Sequence, residues 1–264
     1  MSADTNAVSL KFGVVVFPGS NCEQDVVHAL HLLGHEANYV WHQDTELACY
    51  DAIVLPGGFS YGDYLRCGAV ARFSPVMESV IAYANAGRPV IGICNGFQIL
   101  TEAKLLAGAL LQNRNLKFIC EPASLIVEKS VCKWLDPKLA GSVLEVPINH
   151  NEGNYFCDAK TLAELKENGQ IVLRYRQAAN GSLDNIAGIC NRGGNVFGLM
   201  PHPERVCDFA TGSTDGRAFF SYIFRYILEI ASNTKNNLNK NGSLNSDDLN
   251  SDDNNIIGNV EVAQ

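Results

Sequence analysis

The chain has 264 residues, of which 47% are hydrophobic, and its formal net charge at pH 7 is −8. This length and composition suffice for one large domain with a full core, whereas the acidic balance and the lack of a basic stripe argue against a nucleic-acid partner or an anionic membrane surface. Because the first dozen residues lack a signal-peptide pattern and no apolar run reaches spanning length, the expected location is the cytoplasm.

Apolar runs and helical patterns alternate from Phe12 to about Leu106 in the order β-α-β-β-α-β-α. Strands are predicted at Phe12–Phe17, Glu36–Trp41, Asp51–Leu55 and Arg88–Cys94, and helices after Ser20, Ser74 and Cys94. Ser20 and Glu23 have the spacing of a capping box, and Ser74 with Pro75 that of an N-cap followed by the first helical residue. The alternation predicts a parallel sheet covered on both faces.

The second half of the chain contains shorter β-like runs. They lie at Leu116–Cys120, Ser124–Val127, Ile171–Tyr175, Ile186–Ile189 and Asn195–Leu199. These runs predict an antiparallel flank on the same core. An apolar stripe from Asp215 to about Ser232 then predicts a closing helix.

Composition changes abruptly at Asn233, after which Asn, Ser and Asp dominate. Such a segment cannot bury enough apolar surface to offset the entropy of ordering, so we expect a disordered tail. The predicted organisation is therefore an N-terminal extension at 1–10, one domain at 11–232 and a tail at 233–264.

Nine cysteines stand at positions 22, 49, 67, 94, 120, 132, 157, 190 and 207. The number is odd and the chain is too large to need disulfides, so most are expected to be reduced and structural. No Cys-x-x-Cys pair and no zinc-like combination with histidine occurs, so no metal site is expected.

Cys94 stands apart from the other cysteines because it ends an apolar strand and begins a helical pattern. Gly92 and Gly96, two residues to either side, relieve the crowding of such a turn and leave the sulfur accessible at the carboxyl end of the strand. A helix N-terminus also favours the thiolate form. The position is typical of a nucleophile, although a buried cysteine is more commonly a small core residue.

His202 and Glu204 lie more than a hundred residues later, in Gly198-Leu-Met-Pro-His202-Pro-Glu204-Arg205. In an extended chain, positions i and i+2 face the same way, and Pro203 between them limits the freedom lost in holding the pair. A general base with an orienting carboxylate is the usual companion of a catalytic thiol. Cys94, His202 and Glu204 are therefore the predicted triad, and a polar turn is the alternative for the last two.

Acyl chemistry also needs hydrogen-bond donors for a developing oxyanion. Leu55-Pro-Gly57-Gly58 follows the third strand, and its position predicts that it lies at the same sheet edge as Cys94. The backbone N–H groups of Gly58 and Asn95 are the candidate donors. Gln98, one turn after Cys94, is the candidate substrate-binding residue, with simple solvation as its alternative.

The segment Gly92-Ile-Cys94-Asn-Gly96-Phe-Gln98, together with His202-Pro-Glu204, resembles the class I (triad) glutamine amidotransferases. Leu55–Gly68, Val14–Glu23 and Gly198–Arg205 narrow the resemblance to the glutaminase subunits of phosphoribosylformylglycinamidine synthase, over roughly residues 11 to 230. The resemblance implies a flavodoxin-like three-layer α/β fold, with a central, mostly parallel sheet and an antiparallel flank.

The resemblance also implies an activity. Cys94 would attack the side-chain amide of L-glutamine, Gly58 and Asn95 would hold the oxyanion, and His202, oriented by Glu204, would pass the thiol proton to departing ammonia. Hydrolysis of the resulting thioester would release glutamate. Because the chain has no phosphate-binding loop, no cofactor is expected in it, and ATP and magnesium are expected on a synthetase partner.

The implied partners are the synthetase subunit, which converts formylglycinamide ribonucleotide to formylglycinamidine ribonucleotide in purine biosynthesis, and a small bridging subunit. One departure from the family is Asn149-His150-Asn151-Glu152-Gly153, where Ala-His-Gly-Glu-Gly is usual. The alternatives are a γ-glutamyl hydrolase or cysteine peptidase with the same triad, and a catalytically silent binding subunit.

Overall fold

The computed structural model describes residues 9–230 and residue 232. The chain divides into two compact units, Met1–Ile227 and Leu228–Gln264, and the described residues of the second unit are helical. Most of the predicted N-terminal extension and all of the predicted tail lie outside the described residues. The domain boundaries at 10 and 232 therefore stay a prediction.

The described residues form eleven strands and five named α-helices. The strands are β1 (Lys11–Val16), β2 (Glu36–Trp41), β3 (Ala52–Leu55), β4 (Val90–Ile93), β5 (Ala109–Leu111), β6 (Ile119–Val127), β7 (Val143–His150), β8 (Asn154–Phe156), β9 (Ile171–Tyr175), β10 (Ile186–Cys190) and β11 (Val196–Leu199). The helices are α1 (Glu23–Leu32), α2 (Pro75–Asn85), α3 (Asn95–Glu102), α4 (Ala159–Glu167) and α5 (Ala218–Ser221). Residues 223–230 are also helical. Each helix within the described range falls short of the length and apolarity that crossing a bilayer would require.

Nine of these strands form one sheet in the order β2-β1-β3-β4-β11-β10-β9-β6-β7. The first five pair in parallel, and the remaining pairs are antiparallel. Every residue of β3, β4 and β11 is buried, as strands covered on both faces must be. The predicted fold, a mostly parallel sheet with an antiparallel flank, is confirmed.

The sheet order determines where a site can form. Strand β4 lies between β3 and β11 and is parallel to both. Their carboxyl ends therefore meet at one edge, and the residues that follow each strand are brought together there. Cys94 follows β4, Gly57 and Gly58 follow β3, and His202 follows β11 closely.

Several local predictions need correction. Ser20 does not cap α1, because its Oγ accepts a hydrogen bond from Phe17 N (3.0 Å) and the helix begins after Cys22 without a side-chain cap. Ser74 does precede α2 with Pro75 as its first residue, but its hydroxyl pairs with the Tyr61 hydroxyl instead of the backbone.

The antiparallel flank also differs from its prediction in detail. Strand β6 begins at Ile119, not Leu116, and the last predicted run, β11, pairs in parallel with β4 as well as antiparallel with β10. Strands β5, β7 and β8 and helix α4 were not predicted. Every second side chain of β7 is buried. Pro147 is tolerated in this strand because β7 lies at the edge of the sheet.

Candidate active site

Cys94 occupies the turn between β4 and α3 in a backbone conformation that non-glycine residues rarely adopt, with φ 51° and ψ −105°. The surroundings hold it there: Cys94 N donates to Leu199 O (2.8 Å), and Gln98 N donates to Cys94 O (3.2 Å). A β-carbon at Gly96 would overlap the Leu55 carbonyl oxygen, and one at Gly92 would lie 2.6 Å from the Gly96 carbonyl carbon. The two glycines are thus required by close packing of the turn, as predicted.

The Cys94 side chain forms part of the wall of a cavity of about 160 Å³ at the carboxyl edge of the parallel strands. Only 6% of the residue is exposed, and Sγ lies 3.7 Å from the carbonyl oxygen of Asn149 at the end of β7. The sulfur also lies at the N-terminus of α3, where the helix dipole favours negative charge.

His202 and Glu204 form a buried pair beside this cavity. His202 Nδ1 lies 2.6 Å from Glu204 Oε1, and both side chains are almost completely inaccessible. The predicted extended geometry is wrong, because Pro203–Val206 is a short 3₁₀ helix and His202 is its N-cap. The pair forms nonetheless, since this tight turn brings the carboxylate back to the ring.

Charge at the site is set by these neighbours. Burial disfavours the imidazolium, but the Glu204 carboxylate and the thiols of Cys94 and Cys22 outweigh it and raise the pKa of His202 well above its ordinary value. His202 Nε2 is buried and makes no hydrogen bond within the described residues. Because Nδ1 faces Glu204, Nε2 is the ring nitrogen that remains available to exchange a proton with the Cys94 thiol.

Cys22 is a second thiol at this histidine, and the sequence did not single it out. Arg205 Nη2 lies 3.3 Å from its Sγ, and donor atoms of Cys22, His202 and Glu204 all lie within 4.8 Å of one another. Such a set can hold a metal ion, but the Arg205 cation disfavours a second cation beside it. Cys22 follows β1 at the same sheet edge, and that position was the available clue.

The two predicted oxyanion donors are Gly58, in the loop after β3, and Asn95, which directly follows Cys94. Gly58 lines the cavity at φ 142°, and its loop is held by bonds from Phe59 N to Gly19 O (3.0 Å) and from Cys22 N to Gly57 O (3.3 Å). Neither bond uses the N–H of Gly58. Asn95 is the first residue of α3, so its N–H belongs to the group that a helix leaves without an intrahelical partner.

The side chains of Asn95 and Gln98 are buried and bonded to each other, Asn95 Nδ2 to Gln98 Oε1 at 2.9 Å. Asn95 Oδ1 accepts from Ser60 N (3.2 Å), and Gln98 Nε2 donates to Glu152 O (2.6 Å). Gln98 lines the cavity and is not simply solvated. Its amide joins α3 to the segment after β7, and a direct role in substrate binding stays a prediction.

The segment Asn149–Glu152, in which the sequence departs from the family pattern, forms one wall of the cavity. Asn149 faces Cys94 with its carbonyl oxygen, and Asn151 O accepts from Asn113 N (2.8 Å). The backbones of both asparagines are thus in use. His150, between them, is 3% exposed.

Asp63 and Arg66 stand close together in the sequence, where they could form an ion pair, but the structure gives them different partners. Arg66 forms a two-point ion pair with Glu102, each distance 2.6 Å, on the surface. Asp63 lines the cavity, where burial first and the charge of Glu152 next raise the pKa of its carboxyl, against a hydrogen bond with Cys67. Asp63 therefore contributes to the site and Arg66 does not.

Comparisons with known proteins agree with this architecture. Residues 9–218 match the family model described as a CobB/CobQ-like glutamine amidotransferase domain. "Phosphoribosylformylglycinamidine synthase subunit PurQ" of Trichormus variabilis is 53% identical over 224 residues, which cover 84% of this chain and the whole of that protein. The protein of the same name from Alkaliphilus metalliredigens is 54% identical over 219 residues, covering 83% and 97%.

A solved structure is also similar. A chain of PurLQS from Thermotoga maritima superposes with a TM-score of 0.77 at 45% sequence identity, covering 83% of this chain and all of that one. At this identity and coverage the likeness extends to sequence as well as fold.

Proposed function

Because the chain belongs to the PurQ family of class I glutamine amidotransferases, the glutaminase subunits of phosphoribosylformylglycinamidine synthase in purine biosynthesis, we propose that Cys94, His202 and Glu204 are the triad with which it hydrolyses L-glutamine. One observation carries the assignment of roles. A thiol and a carboxylate-bound imidazole, more than a hundred residues apart in sequence, reach one cavity.

The reaction begins with proton transfer from Cys94 to His202. The Glu204 carboxylate favours the imidazolium, and the N-terminus of α3 favours the thiolate, so the two charges form together. The thiolate attacks the side-chain amide carbon of glutamine, and the carbonyl oxygen becomes an oxyanion. The N–H groups of Gly58 and Asn95 then donate hydrogen bonds to that oxyanion. Both groups are available for this because neither is used in a hydrogen bond of the described fold.

Collapse of the first intermediate breaks the carbon–nitrogen bond. His202 gives its proton to the leaving nitrogen, ammonia departs, and a thioester remains on Cys94. Water then loses a proton to His202 and attacks the thioester carbon, forming a second oxyanion at the same donors. Expulsion of the Cys94 thiolate releases glutamate, and return of the proton from His202 to Cys94 restores the starting charges.

Free ammonia would be protonated in neutral water and lose its nucleophilicity, which favours direct transfer to a partner. We propose that this partner is the synthetase subunit, and that a small bridging subunit completes a cytoplasmic complex. ATP and magnesium belong to the synthetase, where formylglycinamide ribonucleotide is aminated. The PurLQS title of the Thermotoga maritima structure names such an assembly for that protein.

A covalent adduct tests the triad directly. The protein is incubated with glutamine, quenched in acid, and the modified cysteine is mapped by mass spectrometry. A γ-glutamyl thioester is expected on Cys94 alone, and Cys94→Ala should abolish both the adduct and ammonia release. Cys49→Ala is the matched control, because Cys49 is exposed and lies outside the cavity. An adduct on another cysteine would refute the assignment.

The rival hydrolase function is separated by substrate. Glutamine and a γ-glutamyl dipeptide are compared under the same conditions, and the proposal requires a large preference for glutamine. Faster turnover of the dipeptide would favour a γ-glutamyl hydrolase or peptidase. A silent binding subunit would leave purine synthesis from glutamine unchanged in Cys94→Ala.

A further inference from the structure

A series of hydrogen bonds, which we call the amide relay, runs along the cavity wall and has no role in the triad mechanism. The backbone N–H of Ser60 donates to Asn95 Oδ1 (3.2 Å), and Asn95 Nδ2 donates to Gln98 Oε1 (2.9 Å). Gln98 Nε2 then donates to the backbone oxygen of Glu152 (2.6 Å). The relay thus joins the loop after β3, the first turn of α3 and the segment after β7, all of which contribute to the cavity wall.

The direction of each bond in the amide relay is fixed by the two ends of the relay. A backbone N–H can only donate and a backbone carbonyl can only accept. Asn95 must therefore turn its side-chain oxygen to Ser60, and Gln98 must turn its side-chain nitrogen to Glu152. Ser60, Asn95 and Gln98 are each at most 5% exposed. Because buried hydrogen bonds in a network reinforce one another, the relay holds its two ends at a fixed separation.

The loop at the first end of the relay carries Gly58 and has a strained backbone. Tyr61, Asp63 and Leu65 all have positive φ, between 54° and 69°. Residues other than glycine keep such a conformation only where their surroundings hold it. Tyr64 and Leu65 are 74% and 91% exposed, so apolar packing contributes little at the tip of this loop. Hydrogen bonds must therefore provide much of the restraint on its position.

Three consecutive backbone N–H groups, directly after Gly58, anchor this loop to two different parts of the fold. Those of Phe59 and Tyr61 donate to carbonyl oxygens of the loop after β1, at 3.0 and 2.6 Å. That of Ser60, between them, donates instead to Asn95 on α3. Asn95 also carries the second candidate oxyanion donor on its own backbone. One residue thus provides one donor and, through its side chain, restrains the loop that provides the other.

We propose that the side chain of Asn95 is a positioning residue that couples the two oxyanion donors, because it holds the Gly58 loop at a fixed distance from the N-terminus of α3. Gln98 acts through Asn95 by keeping its amide in the required orientation. The proposal rests on the function proposed above, in which the N–H groups of Gly58 and Asn95 stabilise the oxyanion. Since the oxyanion exists only after attack on the amide, the coupling lowers the energy of the transition state and leaves the binding of glutamine unchanged.

The variant Asn95→Ala tests the coupling, because it keeps the backbone N–H of Asn95 and loses the side-chain bond to Ser60. Its kcat for release of ammonia from glutamine should fall about 10²-fold, as expected for a donor displaced by about 1 Å. The Kd of glutamine, measured by calorimetry in a Cys94→Ala background, should not change. The rate at which iodoacetamide alkylates Cys94, followed by mass spectrometry, should not change either, because that reaction forms no oxyanion.

A control and a second variant accompany Asn95→Ala. Thr101→Val removes a different buried hydrogen bond of α3, from Thr101 Oγ1 to Gln98 O (2.8 Å), and Thr101 does not line the cavity. This control should keep the wild-type kcat. Ser60→Pro removes the bond between Ser60 and Asn95 from its other end. Ser60 is the first residue of the short 3₁₀ helix Ser60–Asp63, a position that proline accepts, so this variant should fold and lose kcat as Asn95→Ala does.

The double variant Gly58→Ala/Asn95→Ala shows whether the Asn95 side chain acts through the Gly58 donor. If it does, the double variant is no slower than Gly58→Ala alone, because that donor is already displaced. Losses that multiply would overturn the proposal, as would wild-type kcat in Asn95→Ala and Ser60→Pro, or a loss of glutamine affinity as large as the loss in kcat. Thermal unfolding of each variant shows that the protein compared is folded. Failure of the proposed function would appear in the wild type instead, as no release of ammonia from glutamine.

Discussion

Nδ1 of His202 lies 2.6 Å from Oε1 of Glu204, with both side chains sealed from solvent. A charge-assisted bond of this length in a buried site holds the ring in one orientation and one tautomer. The opposite nitrogen is then the one available for proton transfer. The pair, which follows β11, thus presents one nitrogen of His202 for proton exchange with Cys94, which follows β4.

Replacing Glu204 with Gln should slow glutamine hydrolysis by about 10²–10⁴-fold with little change in KM, because the ring loses an orienting charge and keeps its shape. Burial would then no longer be opposed by the carboxylate, so the pKa of His202 should fall. Steady-state kinetics and an NMR titration of the imidazole measure both effects. An unchanged pKa of His202 would contradict this account of the site.

Gly58→Ala should lower kcat by about 10²–10³-fold if the N–H of Gly58 stabilises the oxyanion. The residue has φ 142°, and a β-carbon would lie 2.8 Å from both Asn21 N and Ser20 Cα. The loop must therefore shift and carry the donor away, whereas glutamine binding should change little. Kinetics and calorimetry on the folded variant provide the comparison, and wild-type kcat would exclude Gly58 as a donor.

Gly96→Ala should destabilise the fold by about 2 kcal/mol or more, because the added methyl group overlaps the Leu55 carbonyl oxygen in a fully packed turn. Gly141→Ala is the matched control. Gly141 has φ 86° but no atom within 4 Å of an added β-carbon, so its cost is backbone strain of about 1–2 kcal/mol. Urea unfolding of both variants measures the difference, and a smaller loss for Gly96→Ala would be inconsistent with the packing of β3 against α3.

His150 should make the protein acid-sensitive. Its pKa is about 4 in the folded protein against an ordinary value of 6.5, so between these values the unfolded chain binds more protons and stability falls as pH drops. From pH 7 to pH 5 this residue should account for a loss of about 2 kcal/mol. His150→Gln should lose correspondingly less stability over that interval, measured by urea unfolding at each pH. An identical pH dependence in the two proteins would show that His150 is not buried in its neutral form.

Local patterns in the sequence were enough for the first half of the fold. The β-α-β-β-α-β-α order from Phe12 to Leu106 was predicted correctly, because apolar runs and helical spacing are properties of neighbouring residues. Strand β7 was missed despite its alternation, and the capping box at Ser20 failed because its hydroxyl found a partner in the preceding turn. Which partner a side chain or strand finds depends on competing contacts in the folded protein, and residue spacing does not determine it.

The candidate site shows the same division. The sequence by itself determined the residue types, the glycines around Cys94 and the family, since these are written in contiguous motifs. Only the tertiary structure decided that Cys22 and His150 line the same cavity as Cys94. It also decided that the side-chain amides of Asn95 and Gln98 bond to each other, and that the turn after His202 is a 3₁₀ helix. The physical reason is that burial and hydrogen-bond partners depend on which strands are neighbours. The order β3-β4-β11 and the position of the end of β7 against Cys94 are not encoded in any local pattern of the sequence.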